Sequence, residues 1–258
     1  MTSSPVSRSP VSIQNILERK LQWLKNADES VHNALGVTPD MLHYLEQNPI
    51  ITFANSGRSV ASAGVSITGE LRLSYHPMLP ELYTDPKTTG SVDFVVGHEI
   101  GHHLERAKRA TTPEQQKKND RETRQKFVWG SKFTMHTLQA GMMLGLMEWN
   151  GKSASEMIFN AAACLVTGMG FRYVMKAPAR REELYCDAVA TAMSGVTAET
   201  LPPMRDKLQN TSPGEKIKRW FHKNIPQLYQ FYDPSHPPDQ KRIAVQKQGS
   251  LLPSPVAP

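Results

Sequence analysis

The chain has 258 residues, 39% apolar and 21% charged, which allows one substantial core and excludes a disordered polymer. Two cysteines, Cys164 and Cys186, exclude a disulfide framework and point to a reducing compartment. Of the net charge of +6, +5 lies between Glu105 and Lys132, where nine Lys and Arg meet four Asp and Glu. No aromatic residue interleaves that stretch before Phe127 and no nucleic-acid motif accompanies it, so nucleic acid is not an expected partner. A solvated helix face, or peripheral contact with an anionic membrane, suits it better.

In chain order, residues 1–11, "MTSSPVSRSPV", read as a disordered Ser/Pro-rich arm. It lacks the apolar core of a signal peptide, so a cytoplasmic protein is expected. Residues 12–248 read as a single domain and 249–258 as a flexible tail. Helical periodicity runs through "IQNILERKLQWLKNADESVHNALG", and a further helix opens with Thr38 as N-cap and Pro39 at its first position. The period then changes to two. Ala61, Ala63, Val65 and Ile67 alternate with small residues, and Leu71, Leu73 and Tyr75 alternate with Glu70, Arg72 and Ser74. Thr68-Gly69 between them predicts a hairpin. The remainder reads as helix, so the expected class is α+β, mostly helical, with a small antiparallel β-sheet ahead of one central helix.

That helix is "SVDFVVGHEIGHHLERAKRA", with Ser91 as the predicted N-cap, Asp93 in the first turn and Arg and Lys at its end. Val92, Val95, Val96 and Ile100 recur at helical spacing and predict a buried face. His98 and His102 stand one turn apart on one face, where two imidazoles can share a tetrahedral zinc ion. Glu99 projects beside them, placed to act as general base on a metal-activated water. His103 points about 100° away from His102 and is read as a packing or surface residue.

A catalytic zinc needs a third protein ligand. The metzincin pattern is excluded, because Glu105 and Lys108 stand where its glycine and histidine would be. The candidate is "RREELYCDAVATAMSG", residues 180–195, in which Glu183 and Asp187 share a helix face. One of the two can ligate zinc while the other orients a ligand imidazole. Glu182 points elsewhere on a regular helix.

H-E-x-x-H followed by an E-x-x-x-D-x-x-A helix (Glu183, Asp187, Ala190) resembles the gluzincin zinc metallopeptidases of the C-a-a-X prenyl endopeptidase and HtpX type. "SHPPDQKRIAV", residues 235–245, is similar to that family's late H-P-x-x-x-x-R element, with His236, Pro237 and Arg242 in register. The resemblance implies a zincin-type domain and a zinc endopeptidase holding one ion. It implies Glu183 as third ligand, Asp187 behind the ligands, and His236 and Arg242 supporting the active site, His236 at the oxyanion. Many members carry two transmembrane helices between the first two motifs. Here residues 133–147 and 157–171 stand there, each of about fifteen residues where roughly 20 are needed to span a bilayer. Buried helices, rather than integral membrane residence, are therefore expected.

The functional expectation is hydrolysis of peptide bonds in extended polypeptides, by a metal-activated water with Glu99 as base. The alternative is a zinc-stabilised binding or adaptor protein at a membrane surface. The intact Glu99 favours the enzyme, since a structural metal site has no use for that carboxylate.

Overall fold

The computed structural model describes residues 11–55, 60–66, 68–109 and 176–197 continuously, with scattered positions outside those runs, Arg242 among them. The chain divides into two compact units, one of Met1–Gln116, Leu184–Asn210 and Asp239–Pro258, the other of Lys117–Glu183 and Thr211–Pro238. Glu99, His98, His102, Cys186, Asp187 and Arg242 belong to the first.

Three helices open it. α1 (Ile13–Asn26) starts where the Ser12 hydroxyl accepts from Gln14 N–H, and it buries Ile13, Ile16, Leu17 and Leu24 along one stripe. The single periodic run breaks at Ala27 and Asp28, and α2 (Glu29–Leu35) follows, ending at Gly36 with φ +62°. That left-handed conformation is one a side chain rarely tolerates, which is why glycine ends the helix. α3 (Pro39–Gln47) begins as its sequence predicts, with the Thr38 hydroxyl accepting from Met41 N–H and Pro39 in the first turn.

The sheet corrects one expectation. It is mixed rather than antiparallel: β1 (Ile51–Ala54) pairs in parallel with β3 (Leu71–Tyr75), and β2 (Ala61–Val65) pairs antiparallel with β3, in the order β1-β3-β2. The hairpin is the predicted one, turning at Gly69 with φ +94°. β1 has no alternation signal, because Ile51, Phe53 and Ala54 are all exposed in a strand that buries none of its residues. In β3, by contrast, Leu71 and Leu73 are fully buried. Burial of each such side chain stabilises by about 1.5–3 kcal/mol.

α4 (Leu79–Thr84) leads into α5 (Thr89–Arg109), the 21-residue central helix. α5 starts at Thr89, so Ser91 is a buried residue inside it rather than its N-cap. Thr88 and Thr89 instead anchor the start, their hydroxyls donating to Leu82 O at 2.6 Å and Tyr83 O at 2.8 Å. Asp93 does not merely face the helix dipole but pairs with Lys20 of α1 at 3.1 Å. The predicted apolar face holds: Val92, Val96 and Ile100 are fully buried and Val95 packs partly buried against the same core.

α6 (Ala177–Ser194) meets α5 backbone to backbone. A Cβ on Gly97 would sit 3.0 Å from Ala190 Cα, and one on Gly101 would sit 2.7 Å from Cys186 Cα. Only glycine permits that approach, and these two glycines flank His98. No helix among the described residues is long and apolar enough to cross a membrane. Residues 133–147 and 157–171 lie largely outside the described residues.

Candidate metal centre

The close crossing of α5 and α6 decides which side chains meet. His98 and His102 stand edge to face with ring centroids 5.0 Å apart, as one helical turn dictates. From α6, Asp187 reaches His98: Oδ1 lies 2.9 Å from Nδ1. Asp187 is completely buried, and Arg242 closes on it from the other side, donating from Nε to Oδ2 at 2.6 Å and from Nη2 to Oδ1 at 2.8 Å. Such a two-pronged guanidinium–carboxylate pair is the strong form of the ion pair.

Burial alone would push the Asp187 carboxyl up, but hydrogen bonds from Arg242 and His98 outweigh it and hold the group down at about 2. An ionised carboxylate only accepts, so His98 Nδ1 must carry the proton. A neutral His98 then presents its lone pair at Nε2, the form in which imidazole binds metal.

One donor atom each from His98, His102 and Cys186 lies within 4.8 Å of the others, and this trio can hold a metal ion. Two imidazoles and a thiolate form a nitrogen–sulfur set suited to borderline-soft divalent metals. The Cys186 side chain is fully buried. Glu183, one turn before Asp187 on α6, is half-buried and is not in this group. His236 lies outside the described residues. Arg242 reaches the centre, and it does so through Asp187.

Glu99 is 7% exposed, and its Oε2 accepts from the backbone N–H of Ala63 in β2 at 2.5 Å. The central helix and β2 are thereby joined. No family model, curated protein or solved structure matches this chain. The site therefore rests on its own geometry.

Sequence reasoning did not nominate Cys186, Ala63 or Arg106. A single cysteine carries no ligand spacing, and its histidine neighbours lie more than eighty positions away. Ala63 acts through its backbone, which no side-chain pattern reveals.

His103 is fully buried, and its Nε2 lies 3.1 Å from Arg72 O, which makes Nε2 the protonated nitrogen. Nδ1 is then an acceptor with no partner among the described residues. Burial, assisted by the Arg106 charge, holds its pKa down at about 3 against the opposing effect of the Arg72 carbonyl. The unfolded chain, with His103 near its ordinary value of 6.5, binds a proton that the folded protein refuses. Stability due to this group is therefore complete above pH 6.5 and falls by about 1.4 kcal/mol per pH unit below it, levelling off near the folded value. Urea unfolding of chelator-treated protein at stepped pH should show a shallower acid loss in His103→Gln than in the wild type. Equal slopes would place the acid sensitivity elsewhere.

Proposed function

We propose that the chain is a zinc-dependent endopeptidase that hydrolyses peptide bonds of extended polypeptides with Glu99 as general base. The observation that carries this reading is the chain of bonds from Arg242 through Asp187 to His98, with distances of 2.6–2.9 Å. It holds an H-E-x-x-H imidazole in the ligating tautomer, and a zinc ligand whose second nitrogen is fixed by a carboxylate is the recurrent arrangement of such sites.

His98 and His102 would hold the ion. Zinc, when bound, supplies a Lewis acid that polarises the scissile carbonyl and draws the pKa of a water towards neutrality. Glu99 takes the proton of the attacking water and delivers it to the departing amine. The β2 edge that faces away from β3 pairs with the substrate backbone, which makes recognition depend on an extended conformation rather than on a strict sequence. His236, by resemblance to the gluzincins, donates to the developing oxyanion.

Two residues of α6 compete for the third ligand position. Resemblance favours Glu183, and proximity to both imidazoles favours Cys186. Zinc retained after dialysis separates them. Glu183→Ala is expected to lose the metal, with affinity lowered by more than the 10–100-fold typical of supporting residues. Cys186→Ser and Glu182→Ala are expected to keep it. Loss in Cys186→Ser with retention in Glu183→Ala would give the position to the thiolate.

The activity itself is tested by incubating zinc-loaded protein with unfolded polypeptides and sequencing the products. Cleavage that stops with chelator and returns with zinc is the expected result. A protein that binds zinc and cleaves none of them would instead be a metal-stabilised binding module.

A further inference from the structure

The backbone groups of Ala63 are already engaged, and by two side chains of α5. In the β2–β3 pair, Ser66 N–H donates to Glu70 O at 2.9 Å and His76 N–H to Val60 O at 2.8 Å, so the even-numbered residues of this segment carry the ladder. Antiparallel pairs alternate, and Ala63 therefore turns its N–H and C=O towards the edge. β2 pairs only with β3 among the described residues. At that edge Glu99 Oε2 accepts from Ala63 N–H, and Arg106 Nη2 donates to Ala63 O at 3.1 Å. The other arm of the guanidinium, Nη1, is enclosed and has no hydrogen-bond partner among the described residues. An enclosed guanidinium N–H without an acceptor carries a desolvation cost that an acceptor would remove.

We infer that Arg106 is a specificity-determining residue, selecting a carboxylate-bearing residue in the extended polypeptide that pairs with Ala63. The inference rests on the endopeptidase reading above. An incoming strand takes both backbone groups of Ala63 into a new ladder. That exchange turns Glu99 towards the attacking water and Arg106 towards the substrate. A carboxylate can accept from both arms of the guanidinium at once, whereas a neutral amide oxygen accepts with less charge and in poorer geometry. Arg106 lies one turn beyond His102, so the selected acid lies within two residues of the scissile bond.

Digestion of a randomised library of end-blocked peptides by zinc-loaded full-length protein tests this. End-blocking removes terminal carboxylates that would compete. The wild type is expected to enrich Asp and Glu about ten-fold at one position near the cleaved bond, the discrimination one charge-assisted bond provides. Arg106→Gln should lose the enrichment, and Arg106→Lys should keep part of it. A second arm reads binding alone. Fluorescence anisotropy of zinc-loaded Glu99→Gln protein with matched end-blocked peptides, differing by Glu or Gln, should show the same preference, and adding Arg106→Gln should erase it. Matched melting curves verify that each variant folds. An absent preference in the wild type, or one that survives Arg106→Gln, overturns the inference. Acid-selective binding without any cleavage would overturn the peptidase reading and leave the role of Arg106 standing.

Discussion

Replacing Glu99 by Gln is expected to slow peptide-bond hydrolysis by orders of magnitude while leaving both the fold and the metal in place. The side chain is nearly enclosed, and its Oε2 accepts from Ala63 N–H at 2.5 Å. Glutamine has the same shape and keeps an acceptor oxygen for that amide, so β2 retains its contact with α5. What the proposed mechanism loses is the group that takes a proton from water and returns it to the leaving amine. General-base catalysis contributes roughly 10²–10⁴-fold, and turnover should fall by that amount. Zinc content and melting temperature should match the wild type, because Glu99 is absent from the donor group of His98, His102 and Cys186. Product formation from an unfolded polypeptide, measured alongside metal analysis, checks both halves. Undiminished cleavage by the variant would remove Glu99 from the mechanism.

The other large effect is expected at Asp187. Asp187→Asn should destabilise the protein by about 3–5 kcal/mol, the usual cost of breaking a buried ion pair from one side. Asp187 is 0% and Arg242 7% exposed, so the guanidinium left behind has little access to water. The asparagine amide also points donors at an arginine that has only donors to offer. The same substitution removes the carboxylate that keeps His98 protonated on Nδ1, so zinc affinity should fall about 10–100-fold. A second substitution separates the two effects. In Asp187→Asn with Arg242→Met the orphaned charge is gone, and stability should recover, since apolar replacement of a whole buried pair is often close to neutral. Zinc affinity should stay low, because nothing restores the partner of His98. Recovery of both properties would mean that Asp187 acts on the metal only through the fold, and the orienting role would be lost.

The two predictions differ in how far the sequence alone could carry them. H-E-x-x-H on a helix is legible because its chemistry depends on local geometry: four residues make one turn, and one turn places two imidazoles 5.0 Å apart between ring centroids. The same holds for the Thr38–Pro39 helix start and for the Thr68-Gly69 hairpin, where a cap or a turn is set by neighbours in the chain. Asp187 was legible as one of two candidates on a face, and Arg242 only through a motif far downstream. Their bidentate contact belongs to no local pattern.

What tertiary structure decided was everything that depends on approach. β1 joins the sheet in parallel, across a connection that contains β2, and its exposed apolar residues leave no alternation to detect. Ser91 lost the helix start to Thr88 and Thr89, whose hydroxyls find carbonyls in the preceding helix. Cys186 joined the two histidines because Gly97 and Gly101 let α6 settle against the backbone of α5. Ala63 and Arg106 met because a strand edge came to rest along the same helix face that carries Glu99. Local propensity and spacing settle what a short segment can be, whereas contacts between segments far apart in the chain follow from how complete elements pack. In this protein the sequence by itself determined the helix that carries His98, Glu99 and His102, and packing alone determined which groups of β2 and α6 meet them.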